Sequence, residues 1–286
     1  DLQVKVEAYL DQAPLDPTTI TATSQDGAIV RVSSVETVAG STDATIANVS
    51  QGGTTNRVTF WVSGITQGGG TTLTFSAPGY QPVTLPVEVD PSAFVQAQTA
   101  LNTDAFSSSS TLTLYAARLT RTTNVVSEFQ EPRAGVVTAV PVTSSDTTVG
   151  VIGTSPVTAQ VVGNGSDSGS ATTLFDPIGG GTTTIEVGVP AGWDTPVPGT
   201  ISTITYGRAR SATVTAPRIA FCISTSCSFN SNTLRVGEDL HVRVQTYLEQ
   251  APVDPTTITV TSGDGALVTV SSALRGESVR RSSTAG

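Results

Sequence analysis

Two cysteines, one histidine and a scatter of aspartates are the residues of this chain whose types could do chemistry. Cys222 and Cys227 lie in "AFCISTSCSF", on either side of a short Ser/Thr turn. Metal binding would need more ligands, and the spacing is not that of a C-x-x-C redox pair. A disulfide across a hairpin fits better. So small a loop contributes about 2 kcal/mol in the chain-entropy model and implies an oxidising compartment. His241 is the sole histidine, so a Ser–His pair would have to use it. It occupies a repeat position held elsewhere by Gln3, and reads as an exposed strand residue. Asp16, Asp26, Asp254 and Asp264 each precede Pro or Gly, which is turn chemistry rather than a facing carboxylate pair. Asp90, Asp104 and Asp176 sit at expected loops and are the candidate calcium ligands, since hard oxygen donors between domains can rigidify an array. The dense acidic runs of dedicated calcium modules are absent. Gly68–Gly70 and Gly179–Gly181 lack the Lys-Ser/Thr of a phosphate loop. Trp61 and Trp193 are the candidate exposed aromatics for a glycan, with packing between domains as their competing use. No constellation supports an enzyme, and no cofactor is expected.

The elements that must position these residues are strands. The 286-residue chain is 37% apolar and 13% charged, with a mean hydropathy of +0.08. No apolar run approaches the ~18 residues of a membrane span. Net charge is −9 and the pI about 4.5, with Lys5 the only lysine. A nucleic-acid binder shows a basic patch; none is present, and the balance also argues against anionic lipid. Period-two alternation marks the strands. In "LQVKVEAYL" Leu2, Val4, Val6, Ala8 and Leu10 alternate with Gln3, Lys5, Glu7 and Tyr9, which are expected in water. The same grammar places Val58, Phe60 and Val62 inward, then Leu73, Phe75 and Ala77, then Val83, Leu85, Val87 and Val89. Asp26-Gly27, Gly52-Gly53, Gly68–Gly70 and Pro78-Gly79 are the turns between them. Short strands with turns every ~8–12 residues indicate an all-β sandwich or barrel. Residues 91–100 have room for one helical turn.

The chain also repeats itself. Asp1–Ser34 recurs as Asp239–Ser272 at a constant offset of 238, with 24 of 34 residues identical. This is tandem duplication. A fainter repeat lies inside the unit: "ITQGGGTTLTFSAPGY" (Ile65–Tyr80) aligns with "IGGGTTTIEVGVPAGW" (Ile178–Trp193), and Val142–Gly153 echoes the stretch around Asp26.

These motifs carry a resemblance. "NSNTLRVGEDLHVRV", "ITVTSGDGALVTVSS" and "GGGTTLTFSAPGYQPVTLPVEV" follow one another as do the strands of bacterial Ig-like domains stacked in large surface and adhesin proteins. The resemblance spans nearly the whole chain, although residues 92–216 lack the opening V-G-E. It implies tandem Ig-like β-sandwiches in an elongated array. The expected domains are 1–91, lacking its opening strand; 92–216, divergent; and 217–286, incomplete, repeating 1–48 after an opening hairpin. Residues 217–238 have no counterpart before Asp1, so the chain reads as a window on a longer array. The alternative is a subunit whose broken domains are completed by strand donation; the duplicated strands weigh against it, because both partners would bring the same ones.

The expected function is a non-enzymatic structural segment of an extracellular or cell-surface repeat protein forming a stalk, fibre or filament. Its partners would be adjacent repeats or copies of itself end to end. The alternatives are an adhesin module for glycan or host protein, and a filament subunit completed by strand exchange.

Overall fold

A computed structural model describes residues 2–50, 57–161, 169–223, 226–229, 233–238, 240, 242–249, 251, 257–263, 265 and 270, with the backbone alone for 223, 226 and 227. His241, Asp254, Asp264, Gly52-Gly53 and nearly half of the second repeat copy lie outside the described residues. The chain divides into Asp1–Ala251 and Pro252–Gly286, and every named strand belongs to the first unit. Among the described residues there are strands and no helix, so the fold is all-β as expected.

Seven strands build the first sandwich: β1 (Leu2–Tyr9), β2 (Thr18–Ser24), β3 (Val30–Ser33), β4 (Asp43–Val49), β5 (Arg57–Gly64), β6 (Gly70–Ser76) and β7 (Val83–Glu88). One sheet runs β1-β5-β3, the other β4-β2-β6-β7. The predicted alternation puts Phe60, Val62, Leu73 and Phe75 between the sheets, and Ile20, Ala22, Val30 and Val32 join them there. Phe60, fully buried, meets Phe75 edge to face at 5.8 Å between ring centroids, an arrangement aromatic quadrupoles favour. One expectation fails here. Val83 and Leu85 are exposed, at 63% and 39%. β7 is an edge strand carrying Pro86, a residue that edges tolerate because it offers no N–H to a further strand.

Fourteen strands follow: β8 (Ser92–Ala97), β9 (Leu101–Asp104), β10 (Ser110–Leu119), β11 (Val126–Phe129), β12 (Glu131–Pro132), β13 (Thr138–Val140), β14 (Val142–Ser144), β15 (Gly150–Ile152), β16 (Val157–Ala159), β17 (Ser170–Pro177), β18 (Gly181–Val187), β19 (Gly199–Ile201), β20 (Ile204–Gly207) and β21 (Ala209–Thr215). The sheets β15-β17-β10-β8 and β14-β18-β21-β9 enclose the second core, which includes Leu112, Leu114, Phe175, Ile185 and Val187. Their order matches the first sandwich: β3-β5-β1 corresponds to β15-β17-β10, and β2-β6-β7 to β14-β18-β21. The stretch 91–100 holds no helical turn. Its β8 is buried on both faces, with Phe94 in the main core, and Ala93 and Val95 in a smaller cluster with Leu119 and Tyr206 under the β19–β20 hairpin.

The inner repeat is visible atom by atom at one turn. Asp26 Oδ1 accepts from the Ala28 N–H at 2.8 Å, and Asp146 Oδ1 from the Thr148 N–H at 2.9 Å. The main-chain oxygens of Asp26 and Asp146 accept from Val30 and Gly150, and Ser24 and Ser144 hydroxyls reach those same oxygens. This is the side-chain-stabilised turn that Asp favours. The Thr148 hydroxyl also donates to Asp146 Oδ1 at 2.6 Å, and with the Thr148 N–H it holds the Asp146 carboxyl below the usual carboxylate range. A depressed folded-state pKa stabilises the turn above the ordinary Asp range, and that contribution is lost as pH falls through the depressed value. Thr148→Val is therefore expected to move the Asp146 titration upward, read by NMR of its side-chain carbon.

The last three strands are β22 (Ile219–Ile223), β23 (Ser226–Ser228) and β24 (Val244–Leu248), in the order β23-β22-β24.

Candidate functional site

The most specifically built polar site is the joint between the two sandwiches. It starts with an odd feature of β1. Alternation predicts Gln3 in water and Val4 inside, but Gln3 is 3% exposed and Val4 37%. The cause is β12, which pairs with β1 at Leu2↔Pro132 and Gln3↔Glu131 and brings the second sandwich down on that end. Gln3 Oε1 accepts from the buried Ala134 N–H at 2.9 Å, while its Nε2 donates to the Glu36 carbonyl at 3.1 Å and Glu131 Oε2 at 3.4 Å. Its primary amide offers both donor and acceptor capacity, and both are used. Leu2 enters the second core alongside Phe94 and Trp193. Gly169 belongs here as well. A Cβ on it would lie 2.4 Å from Pro132 Cδ and 3.1 Å from the Glu131 backbone.

A second contact set lies where the chain passes from β7 to β8 through Val89–Pro91. Asp90 accepts from Arg118 Nη1 at 2.9 Å and from Arg121 Nε at 3.1 Å. Arg121 also reaches Glu88 at 3.4 Å, and Arg118 reaches Glu128 at 3.3 Å. The Leu119 N–H donates to the Pro91 carbonyl at 2.8 Å. Pairs this near the surface contribute roughly 0–1 kcal/mol each. Their effect is orientation: one carboxylate is gripped from two positions of the next sandwich's strand β10 and the turn after it.

Asp90 is thus occupied by guanidinium groups. Asp176 accepts from the Ser109 hydroxyl at 3.1 Å, and the Asp104 carbonyl closes a turn to Ser107. Among the described residues no three acidic, His or Cys side chains converge as a metal site, and these three candidates are not brought together.

The aromatic expectation is corrected outright: Trp61 is 6% exposed and Trp193 9%, so neither is a surface platform. Cross-strand pairing places Trp61 opposite Lys5 and Ser33, on the face it shares with Gln3. Trp193 stacks on Phe94 at 4.2 Å, tilted by 42°. Next to it, Asp194 exchanges hydrogen bonds with Ser92, from its N–H to the Ser92 carbonyl at 2.8 Å and from the Ser92 N–H to its carboxylate at 3.3 Å. Cys222 is buried, and the β22–β23 ladder sets it directly opposite Cys227; the Cys227 side chain lies outside the described residues.

Gln3 is the functional residue that periodicity hid, and a polar residue at the first turn of contact between domains leaves no local signal. Gln3→Leu is expected to strand the Ala134 N–H in a dry site. The predicted cost is about 1–3 kcal/mol. Hydrogen exchange at Ala134 and chemical unfolding would check it, and an unchanged Ala134 amide would rule the role out.

No family model matches the chain, and no curated protein matches it. Among solved structures, it is similar to domains 4 and 5 of the S-layer protein SbsC, with 13% identity, 69% of this chain and 77% of that one covered, and a TM-score of 0.27. Domains 5–6 of SbsC give 16% identity over 75% of this chain and 89% of that one, with a TM-score of 0.24. Against the longer structure of SbsC domains 4–9 the chain covers 27% of that protein and 80% of itself, at 14% identity and a TM-score of 0.26.

Proposed function

We propose that this chain is a non-enzymatic structural segment of an extracellular repeat protein, in which Ig-like sandwiches stack end to end into a stalk, fibre or filament at the cell surface. The observation that carries the reading is the near-identity of Asp1–Ser34 and Asp239–Ser272. Duplication at that length adds reach without adding a site. The corresponding sheet orders of the two sandwiches support it, as does a joint built from fixed hydrogen bonds rather than a loose linker. In such an array stability is roughly the sum of domain and neighbour terms. We place the domain boundaries near residues 91 and 216. A Cys222–Cys227 disulfide pins the opening hairpin of the third domain. Directly opposed residues of an antiparallel ladder have Cα atoms about 4.5–5.5 Å apart, inside the range a disulfide spans.

The test is the intact mass of the native polypeptide, denatured and reduced. A mass far above 29.2 kDa supports the array; a mass at that value sinks it. Repeating the measurement without reductant reads the disulfide as the loss of two hydrogens.

A further inference from the structure

Asn48 stands in the tripeptide Asn48-Val49-Ser50, and Asn164 in Asn164-Gly165-Ser166; these are the two N-x-[ST] sequences of the chain. An asparagine amide in this pattern can accept a glycan. So short a pattern also arises by chance, and its placement decides what it means. The two placements correspond. Asn48 lies at the end of β4, ahead of β5, and Asn164 lies between β16 and β17, the strand that answers to β5 in the second sandwich. Asn164 itself lies outside the described residues, and the site considered is Asn48.

The structure gives Asn48 the access that such chemistry requires. β4 is the end strand of the sheet β4-β2-β6-β7. Its register against β2 shifts between Thr18↔Val49 and Ile20↔Ile46, so Ala47 and Asn48 together stand opposite Thr19. An extra residue of this kind bends an edge strand and leaves one residue outside the ladder. Asn48 has a φ of 60°, in the left-handed region that Asn enters more readily than most residues. Val49 stays anchored in the first core at 7% exposure, while Asn48 is exposed and Ser50 half-buried. Among the described residues nothing hydrogen-bonds the Asn48 carboxamide. The side chains around it are small: Thr45 and Ala47 on its own strand, both exposed, and Thr19 across from it. The bulge accounts for an asparagine here. It does not call for a hydroxyl two residues further on.

We infer that Asn48 is a covalent glycosylation site, which takes a sugar activated as a glycosyl ester of phosphate or diphosphate. Asn48 Nδ2 forms a bond to the anomeric carbon of the sugar. The bond from that carbon to the phosphate oxygen breaks, and the phosphate leaves with the electron pair. One proton of Nδ2 passes to the base of the transferase. Ser50 supplies the hydroxyl that completes the acceptor sequence. The glycan stands at the outer edge of β4, where backbone N–H and C=O groups would otherwise be a template for another strand. Sandwiches of one ancestry carry similar edges, and misassembly between domains is a characteristic failure of repeat chains. A bulky hydrophilic group on an edge strand keeps such edges apart.

The inference goes beyond the array reading and fails separately from it: polypeptide mass decides the array, and a single peptide decides the modification. Trypsin, cutting after Arg31 and Arg57, releases residues 32–57 with Asn48 in the only acceptor sequence of that peptide. The native polypeptide is digested and the peptide fragmented by electron transfer, which leaves glycans attached. The expected product carries a sugar on Asn48. A single hexose there supports the site with a nucleotide-linked donor, and a preassembled oligosaccharide supports it with a lipid-linked one. In the same host Ser50→Ala is expected to lose the modification completely and Ser50→Thr to keep it, since neither change touches the Asn48 backbone. An unmodified peptide as the sole form, a sugar on Ser or Thr in place of Asn48, or a sugar retained on Asn48 in Ser50→Ala would each overturn the inference.

Discussion

Phe60→Ala is expected to lower the unfolding free energy of the first sandwich by about 3–5 kcal/mol while leaving the second where it was. Phe60 is fully buried, contacts Phe75 edge to face, and shares its core with buried residues of four other strands, β2, β3, β4 and β6. Truncation removes the transfer free energy of a phenyl ring and leaves a cavity that two hydrogen-bonded sheets cannot collapse to fill. The second core shares no residue with the first, although it takes Leu2 from β1 at the joint. Hydrogen exchange in mild denaturant separates the two: amides of β5 and β6 lose protection, and those of β10 and β17 keep it. Equal losses in both would mean that the joint makes the pair one cooperative unit, against local folding of each sandwich.

The second large effect concerns Trp193→Ala, expected to cost about 3–5 kcal/mol in the second sandwich and to change glycan binding not at all. A surface platform residue would behave in the opposite way, leaving stability unchanged when truncated and abolishing glycan binding. Trp193 lies against Phe94 with the rings tilted by 42°, so its loss forfeits a close aromatic contact as well as burial, and it adjoins the Asp194–Ser92 clasp that holds the following loop to β8. Chemical unfolding measures the cost. Native fluorescence supplies an independent check: Trp61 is buried as well, so the emission loses intensity and stays blue-shifted, whereas loss of an exposed indole would leave the spectrum further to the blue.

What could be read from the sequence was whatever one face of one strand reports. β6 and β18 alternate cleanly, and the Asp26 and Asp146 turns are written in three or four residues. Gln3 and β8 are misread because other segments cover their second face. Gln3 is buried by a segment about 130 residues away. Trp61 is buried on the same face of the sheet as Gln3. β8 packs on both sides, so Ser92–Ala97 has no period and leaves room for a helical turn. Val83 and Leu85 err the other way, because an edge strand's alternation does not say how far the opposing sheet extends. The joint has no motif of its own, since Gln3, Asp90, Arg118 and Glu131 are unremarkable until the sheets bring them together.

The passage from β7 to β8 through only Val89, Asp90 and Pro91 has a mechanical consequence. A segment of this kind has no slack to take up. Bending the two sandwiches against each other must first stretch the Gln3 and Asp90 contacts, so small deflections meet an elastic resistance instead of free swivelling. Under tension applied along the chain, the Asp90–Arg118–Arg121 grip and the β1–β12 pairing share the pull before either core feels it. The segment therefore behaves as a short beam, whose stiffness resides at its seam.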